Sequence, residues 1–206
     1  QKIAGKPMVL HTLAAFAAVA RVHGVLLVIA PNDTFFSTPA MAQKAPIFVA
    51  HCGGETRAAS VLNGISALLK GGADEKDWVL VHDAARCLIT PSQIDTLISN
   101  CEHDAVGGLL AIPLSDTLKR GENGIVVETV NRSDKWLAQT PQMFRLSALR
   151  DALQTAGAQV TDESSAMELA GCSPLLVEGS AQNFKVTYPQ DFTMAQAVLF
   201  LRGKVD

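Results

Sequence analysis

The residues best suited to chemistry sit at the ends of apolar runs. His82-Asp83-Ala84-Ala85-Arg86 straddles the end of the run WVLVHD (Trp78–Asp83). An acid and an arginine three residues apart, just past a buried strand, can set opposite charges over one cleft. Asp83 could orient a metal-bound phosphate or a hydroxyl, and Arg86 could fork a phosphate. The same spacing suits a plain ion pair between the two side chains. His82 is expected to point away from the cleft. Gly53-Gly54-Glu55-Thr56-Arg57-Ala58-Ala59-Ser60 runs into a helix start, where glycines let backbone approach a ligand and free N–H groups favour anions or carbonyl oxygens. An ordinary capped turn has the same composition. Lys185 lies in the otherwise apolar Asn183-Phe184-Lys185-Val186-Thr187, so its ammonium must reach solvent or face a phosphate. Thr117, Lys119, Arg120, Arg132 and Thr140 bracket a turn-rich stretch. Basic residues there are solvated unless the stretch reaches across to another site.

Positioning these groups falls to alternating helices and strands. Pro7 opens a helical segment with Val9, Leu13, Phe16 and Ala20 on one stripe, closed by Gly24. VLLVIA (Val25–Ala30) reads as a strand buried on both faces of a parallel sheet, and IFVAH (Ile47–His51) as a second strand. A helix from Arg57 to Lys70 carries Ala58, Val61, Leu62, Ile65, Leu68 and Leu69 on one face and stops at Gly71-Gly72. Thr90-Pro91 is a cap and first-position pair for a helix to about Asn100, and VGGLLAIPL (Val106–Leu114) is the fourth strand. Short connections between helices and strands imply right-handed crossovers and a doubly wound sheet.

The rhythm breaks at Thr117–Val130, where Gly121-Glu122-Asn123-Gly124 turns between two extended runs. This predicts a β-hairpin arm over about 117–135. A lone hairpin is marginal in water, so it should pack on something, and a second subunit is a natural candidate. Strand Trp136–Phe144 follows, then helices over Leu146–Ala156 and Asp162–Ala170. A strand at Pro174–Gly179, a short one at Asn183–Thr187 and a last helix after Pro189 complete a single domain over 1–206.

Composition narrows the function. A chain of 206 residues can bury roughly 70% of its unfolded surface without disulfides or metal. With 48% hydrophobic and 18% charged residues it is not a solvating chain, and a net charge of −3 argues against nucleic acid as the main partner. The greasiest stretch, Leu13–Ala20, is far shorter than the ~20 residues of a bilayer span, so no membrane association is expected. Cys52, Cys87, Cys101 and Cys172 show no CxxC spacing and the histidines are scattered, which predicts no metal site and a cytoplasmic setting. The absence of GxGxxG, GxxxxGK[ST] and GxSxG weakens dehydrogenase, P-loop and α/β-hydrolase readings. A phosphate-rich small ligand in a Rossmann-like cleft is what remains.

Six segments in order carry a resemblance: GGETRAASVLNG (Gly53–Gly64), VLVHDAAR (Val79–Arg86), IPLSDTLKR (Ile112–Arg120), VNRSDKWLAQTPQMF (Val130–Phe144), TDESSAMELAG (Thr161–Gly171) and LVEGSAQNFKVTYPQD (Leu176–Asp191). Together they resemble the 2-C-methyl-D-erythritol 4-phosphate cytidylyltransferase family of the non-mevalonate isoprenoid pathway. The resemblance implies a Rossmann-like, doubly wound, mostly parallel sheet of the nucleotidyltransferase type with an inserted β-hairpin arm. It implies in-line attack of a sugar-alcohol phosphate on the α-phosphorus of CTP, with pyrophosphate leaving and Mg²⁺ held mainly by the CTP phosphates. By the same resemblance Gly54, Glu55, Arg57, Ser60 and Ala84 hold the nucleotide, while Asp83, Arg86 and Thr117 surround the methylerythritol phosphate. Lys185 positions that phosphate. Arg132 and Thr140 reach into the partner subunit's site, which predicts a homodimer through the arm.

Two departures qualify the resemblance. The family begins with a strand and a glycine-rich loop bearing basic residues, and Gln1-Lys2-Ile3 starts just downstream of that segment. It is expected to precede Gln1, because loss of a central strand would leave the sheet unpaired. Cys87 stands where the family commonly has proline, which gives the loop a backbone donor and freedom in φ. The alternatives are a cytidylyltransferase for another polyol phosphate such as ribitol 5-phosphate, or a non-catalytic homologue.

Overall fold

Strand and helix alternate through the computed structural model, which describes residues 1–34, 36, 46–157 and 160–203. A short hairpin, β1 (Lys2–Ile3) and β2 (Lys6–Pro7), leads into α1 (Met8–Ala17). Then come β3 (Val25–Val28), β4 (Ile47–Ala50), α2 (Arg57–Lys70), β5 (Trp78–Val81), α3 (Pro91–Cys101) and β6 (Gly107–Pro113). The arm is β7 (Leu118–Glu122) and β8 (Ile125–Val130). After it follow β9 (Trp136–Arg145), α4 (Leu146–Ala156), α5 (Glu163–Leu169), β10 (Leu175–Glu178) and α6 (Pro189–Arg202).

The main sheet has the order β10-β6-β9-β5. β10 runs parallel to β6, while β9 runs antiparallel to both β5 and β6, so three of the four strands share one direction. β9 opposes them because the arm returns the chain to the end from which β6 emerged. β3 and β4 pair in parallel as a separate ribbon. Among the described residues β3 bonds to no second strand and β5 bonds only to β9. That explains one departure from expectation. β3 is half-buried at all four positions rather than buried on both faces.

Met143 and Phe144 are neighbours on β9 yet lie in different cores, since a strand points successive side chains to opposite faces. On one face Phe16 of α1 and Ile94, Leu97 and Ile98 of α3 pack with Met143 and Leu110. On the other, Ile65 of α2, Leu149 and Leu153 of α4 and Met167 of α5 pack around Phe144. β5 alternates in the same way, with Trp78 and Leu80 against the first core and Val79 and Val81 against the second. Each fully buried Leu or Phe contributes roughly 1.5–3 kcal/mol, and these two layers hold the strand ends in place. Ile3, Cys87, Leu88, Val186 and Ala195 form a third core under α6.

Local signals set the boundaries. Thr90 caps α3 by accepting from the Gln93 amide, with Pro91 in the first helical turn. α2 ends at Gly71, followed by Gly72 at φ +98°, a conformation that favours glycine. In the arm the turn is the two residues Asn123 and Gly124, both at positive φ, rather than the four-residue turn expected. Helix α1 ends at Ala17, short of Gly24. Segment 183–187 is not a strand but begins with a bend at Asn183 and continues as irregular backbone. Its anchor to the neighbouring loop is the Val186 amide donating to the Ala85 carbonyl.

Candidate active site

Beyond the carboxyl ends of β4 and β5, two loops and the 183–187 segment converge. The first loop is fixed by close packing. A Cβ on Gly53 would lie 3.0 Å from the Ile29 carbonyl oxygen, and one on Gly54 would lie 2.6 Å from the Ala59 Cβ. Thr56 then caps α2, accepting from the Ala59 amide. The Ser60 hydroxyl donates to the Thr56 carbonyl at 2.9 Å and accepts from the Gly54 amide at 3.0 Å. Ser60 therefore closes the Gly54–Ser60 turn, while Glu55 stands exposed at its tip. Arg57, in the first turn of α2, is aimed back across the strand ends.

The second loop carries Asp83, whose carboxylate is shared between two cations. Arg57 Nε donates to one oxygen at 2.8 Å, and Lys185 Nζ lies 2.9 Å from the other. Burial works against the Asp83 charge, but the Lys185 hydrogen bond and the Arg57 charge outweigh it and hold the carboxyl at about 2. The mutual Asp83–Arg86 pair considered from spacing does not form. Arg86 instead donates through Nη1 to the Asn183 carbonyl at 2.8 Å and through Nη2 to the Ala138 carbonyl at 3.3 Å. It clamps the 183–187 segment to β9. Among the described residues, its Nε and the Oδ1 of fully buried Asn183 have no hydrogen-bond partner.

Glu163 is the residue that reading the sequence missed. Its carboxylate is fully buried and takes both terminal nitrogens of Arg57, at 2.6 and 2.9 Å. Burial opposes charge on Arg57, but Glu163 and Asp83 raise its affinity for the proton well above the ordinary guanidinium value. Glu163, Arg57, Asp83 and Lys185 thus form a chain of alternating charge from the buried start of α5 to the surface, where Lys185 is 47% exposed. Asp162 caps α5 and accepts from Gln142 at 2.8 Å, while Gln142 accepts from the Ser164 amide at 2.7 Å. The acid pair Asp162-Glu163 in TDESS was the available signal, but nothing in its spacing names Arg57 as the partner.

The other expected residues divide. Ala84 is exposed beside Asp83, its carbonyl accepting from the Thr12 hydroxyl of α1. Thr140 is 4% exposed, and its hydroxyl meets the Asp83 amide and the His82 ring, all within its own chain. His82, expected to point away from the cleft, is largely buried but braces the site from below through the Thr140 hydroxyl and the Arg86 carbonyl. Thr117 and Arg132 are exposed at the foot of the arm, and neither hydrogen-bonds to the Asp83 cluster among the described residues.

Known proteins resemble this chain along nearly its whole length. The family model described as 2-C-methyl-D-erythritol 4-phosphate cytidylyltransferase matches residues 1–200. A protein of Albidiferax ferrireducens named bifunctional enzyme IspD/IspF is 66% identical over all of this chain, which spans 49% of that relative's length. A 2-C-methyl-D-erythritol 4-phosphate cytidylyltransferase of Burkholderia vietnamiensis is 50% identical over 96% of the chain and 85% of its own. A crystal structure titled 4-diphosphocytidyl-2C-methyl-D-erythritol synthase superposes with a TM-score of 0.90 at 42% identity, covering 97% of this chain and 92% of the other.

Proposed function

This chain belongs to the 2-C-methyl-D-erythritol 4-phosphate cytidylyltransferase family, and we propose that it joins CTP and 2-C-methyl-D-erythritol 4-phosphate to give the CDP-methylerythritol product and pyrophosphate. An oxygen of the sugar-alcohol phosphate bonds to the α-phosphorus of CTP while the bond to the pyrophosphate oxygen breaks in line. The observation that carries the reading is the charge chain ending at Asp83 and Lys185 over the mouth of β5. Lys185, half-exposed, meets the incoming phosphate as a point charge, and Asp83 holds it in place beforehand and accepts a substrate hydroxyl. The Gly54–Ser60 turn, with Glu55, Arg57 and Ala84 beside it, borders the nucleotide.

Among the described residues no group of three or more His, Cys, Asp or Glu side chains can hold a metal ion, and Asp83 is committed to two cations. The described residues thus offer no magnesium site of their own. Any Mg²⁺ would travel on the triphosphate, and no step is assigned to it.

The arm supports a homodimer. Ile125, Val126 and Val127 are 72%, 60% and 48% exposed among the described residues, an apolar run left largely open. Paired across a two-fold axis, two arms would bury that run and bring Arg132 toward the neighbour's site. No helix among the described residues is long and apolar enough to cross a membrane, and the four cysteines are unbridged.

Pyrophosphate release tests the activity. The protein should turn over CTP with methylerythritol phosphate and discriminate against UTP, because a site built to pair the cytosine amino group leaves polar groups unmet with other bases. Ribitol 5-phosphate, which the relatives' names do not favour, is the control substrate. Equal turnover with UTP, or none with methylerythritol phosphate, rejects the reading.

A further inference from the structure

The His82 ring is tied to both ends of the turn from Asp83 to Arg86. Nε2 lies 3.2 Å from the Arg86 carbonyl oxygen, and Nδ1 lies 3.0 Å from the Thr140 hydroxyl, which itself receives the Asp83 amide at 3.0 Å. Proton roles follow from chemistry. A carbonyl only accepts, so Nε2 carries the hydrogen. A neutral imidazole then offers Nδ1 as an acceptor, and the Thr140 hydroxyl must donate to it. That leaves the hydroxyl oxygen free to accept from the Asp83 amide. The wire runs Asp83 N–H to Thr140 O–H to His82 Nδ1, and His82 Nε2–H to the Arg86 carbonyl. Phe16 packs against the ring at 5.1 Å, and burial drives its pKa down to about 4, so the ring stays neutral at physiological pH.

We propose that His82 is a positioning residue: as a neutral Nε2–H tautomer it fixes the Thr140 hydroxyl and the Arg86 carbonyl, and through them the backbone that presents Asp83 to Lys185. A one-residue turn displacement would move the Asp83 carboxylate away from the ammonium, since Asp83 N and the Arg86 carbonyl mark its two ends. Thr140 acts in the same way, because both of its hydroxyl roles are consumed inside the chain. The kinetic part of this inference rests on the cytidylyl-transfer reading, whereas the spectroscopic part does not.

Nitrogen NMR of ¹⁵N-histidine-labelled wild-type protein at neutral pH reads the tautomer directly, with His82 assigned by its loss in a variant. The expected result is an unprotonated Nδ1 and a protonated Nε2. Four variants then separate the two arms of the ring. His82→Asn keeps an acceptor near Nδ1 and loses the Arg86 arm, whereas His82→Gln keeps a donor near Nε2 and loses the Thr140 arm. Thr140→Ser keeps the hydroxyl, and Thr140→Val removes it. His82→Gln and Thr140→Val should each lower kcat/KM by about tenfold, the scale of one lost hydrogen bond at a reacting group. The loss should appear in KM for the sugar-alcohol phosphate and leave KM for CTP unchanged. Thr140→Ser should retain most of the activity, His82→Asn should lose less than His82→Gln, and the double variant His82→Gln/Thr140→Val should be no worse than either single one. A protonated Nδ1, equal losses for Gln and Asn at position 82, or additive losses in the double variant would overturn the proposal. A wild-type protein that turns over neither substrate would reject the activity reading, while the NMR result still decides the tautomer and the wire.

Discussion

Glu163 holds Arg57 by both terminal nitrogens, and Arg57 in turn holds Asp83 by Nε. The helix that opens at Glu163 lies far along the chain from the helix that opens at Arg57, so this contact exists only because α2 and α5 share one core beneath the sheet. The Arg57 fork has fixed geometry, so occupying its two outer nitrogens also orients the third toward Asp83.

Glu163→Ala should therefore destabilise the fold by about 2–3 kcal/mol, less than a fully buried pair costs, because Arg57 keeps Asp83 and some solvent. Urea unfolding of the two proteins measures it. A difference below about 0.5 kcal/mol would contradict a working buried pair.

Lys185→Ala and Arg86→Ala should both lower kcat/KM by about 10²-fold, but for different reasons that stability will separate. Lys185 is half-exposed and pairs with Asp83, which Arg57 still holds, so its loss should cost less stability than the loss of Arg86. Arg86 clamps the carbonyls of Asn183 and Ala138, so Arg86→Ala should also cost about 2 kcal/mol of stability. Equal stability of the two variants would show that the clamp contributes nothing.

Two groups make stability depend on pH in separate windows. His82 titrates near 4 in the native state against 6.5 unfolded, so the unfolded chain binds the extra proton first and stability falls as pH drops from 6.5 to 4, by about 3 kcal/mol. Asp83, held near 2 against 3.8, adds stability present above pH 4 that is lost as pH falls toward 2, worth about 2 kcal/mol. Unfolding free energies measured across pH 2 to 8 should show both slopes, and His82→Asn should flatten the upper one.

Shared sites predict complementation. If Arg132 acts on the neighbouring subunit, mixing Arg132→Ala with Lys185→Ala subunits gives a dimer with one doubly defective site and one intact site, so activity should return. No recovery after demonstrated subunit exchange, or a monomer by light scattering, would mean that the exposed arm and Arg132 serve only their own chain.

Much of this architecture was legible in the residues. Helix α2 from Arg57 to Lys70, the Thr90-Pro91 start of α3 and the hairpin arm follow from periodicity, capping and turn chemistry, which act within a few residues and need no distant partner. The converging loops were legible for a similar reason, since charged and glycine-rich clusters stand out at the ends of apolar runs. Segment 183–187 was misjudged as a strand because its apolar alternation is real, but its backbone is held by Arg86 and Ala85 rather than by a ladder.

What the tertiary structure alone decided was pairing. By spacing, Asp83 belongs with Arg86; in the fold it belongs with Arg57 and Lys185, residues 26 positions before it and about a hundred after it. The sequence established which groups could carry charge and that they would gather at the strand ends. It left their pairing open, because an ion pair is fixed by the distance between side chains in three dimensions, and that distance depends on how α2, α5 and the 183–187 segment pack around one sheet.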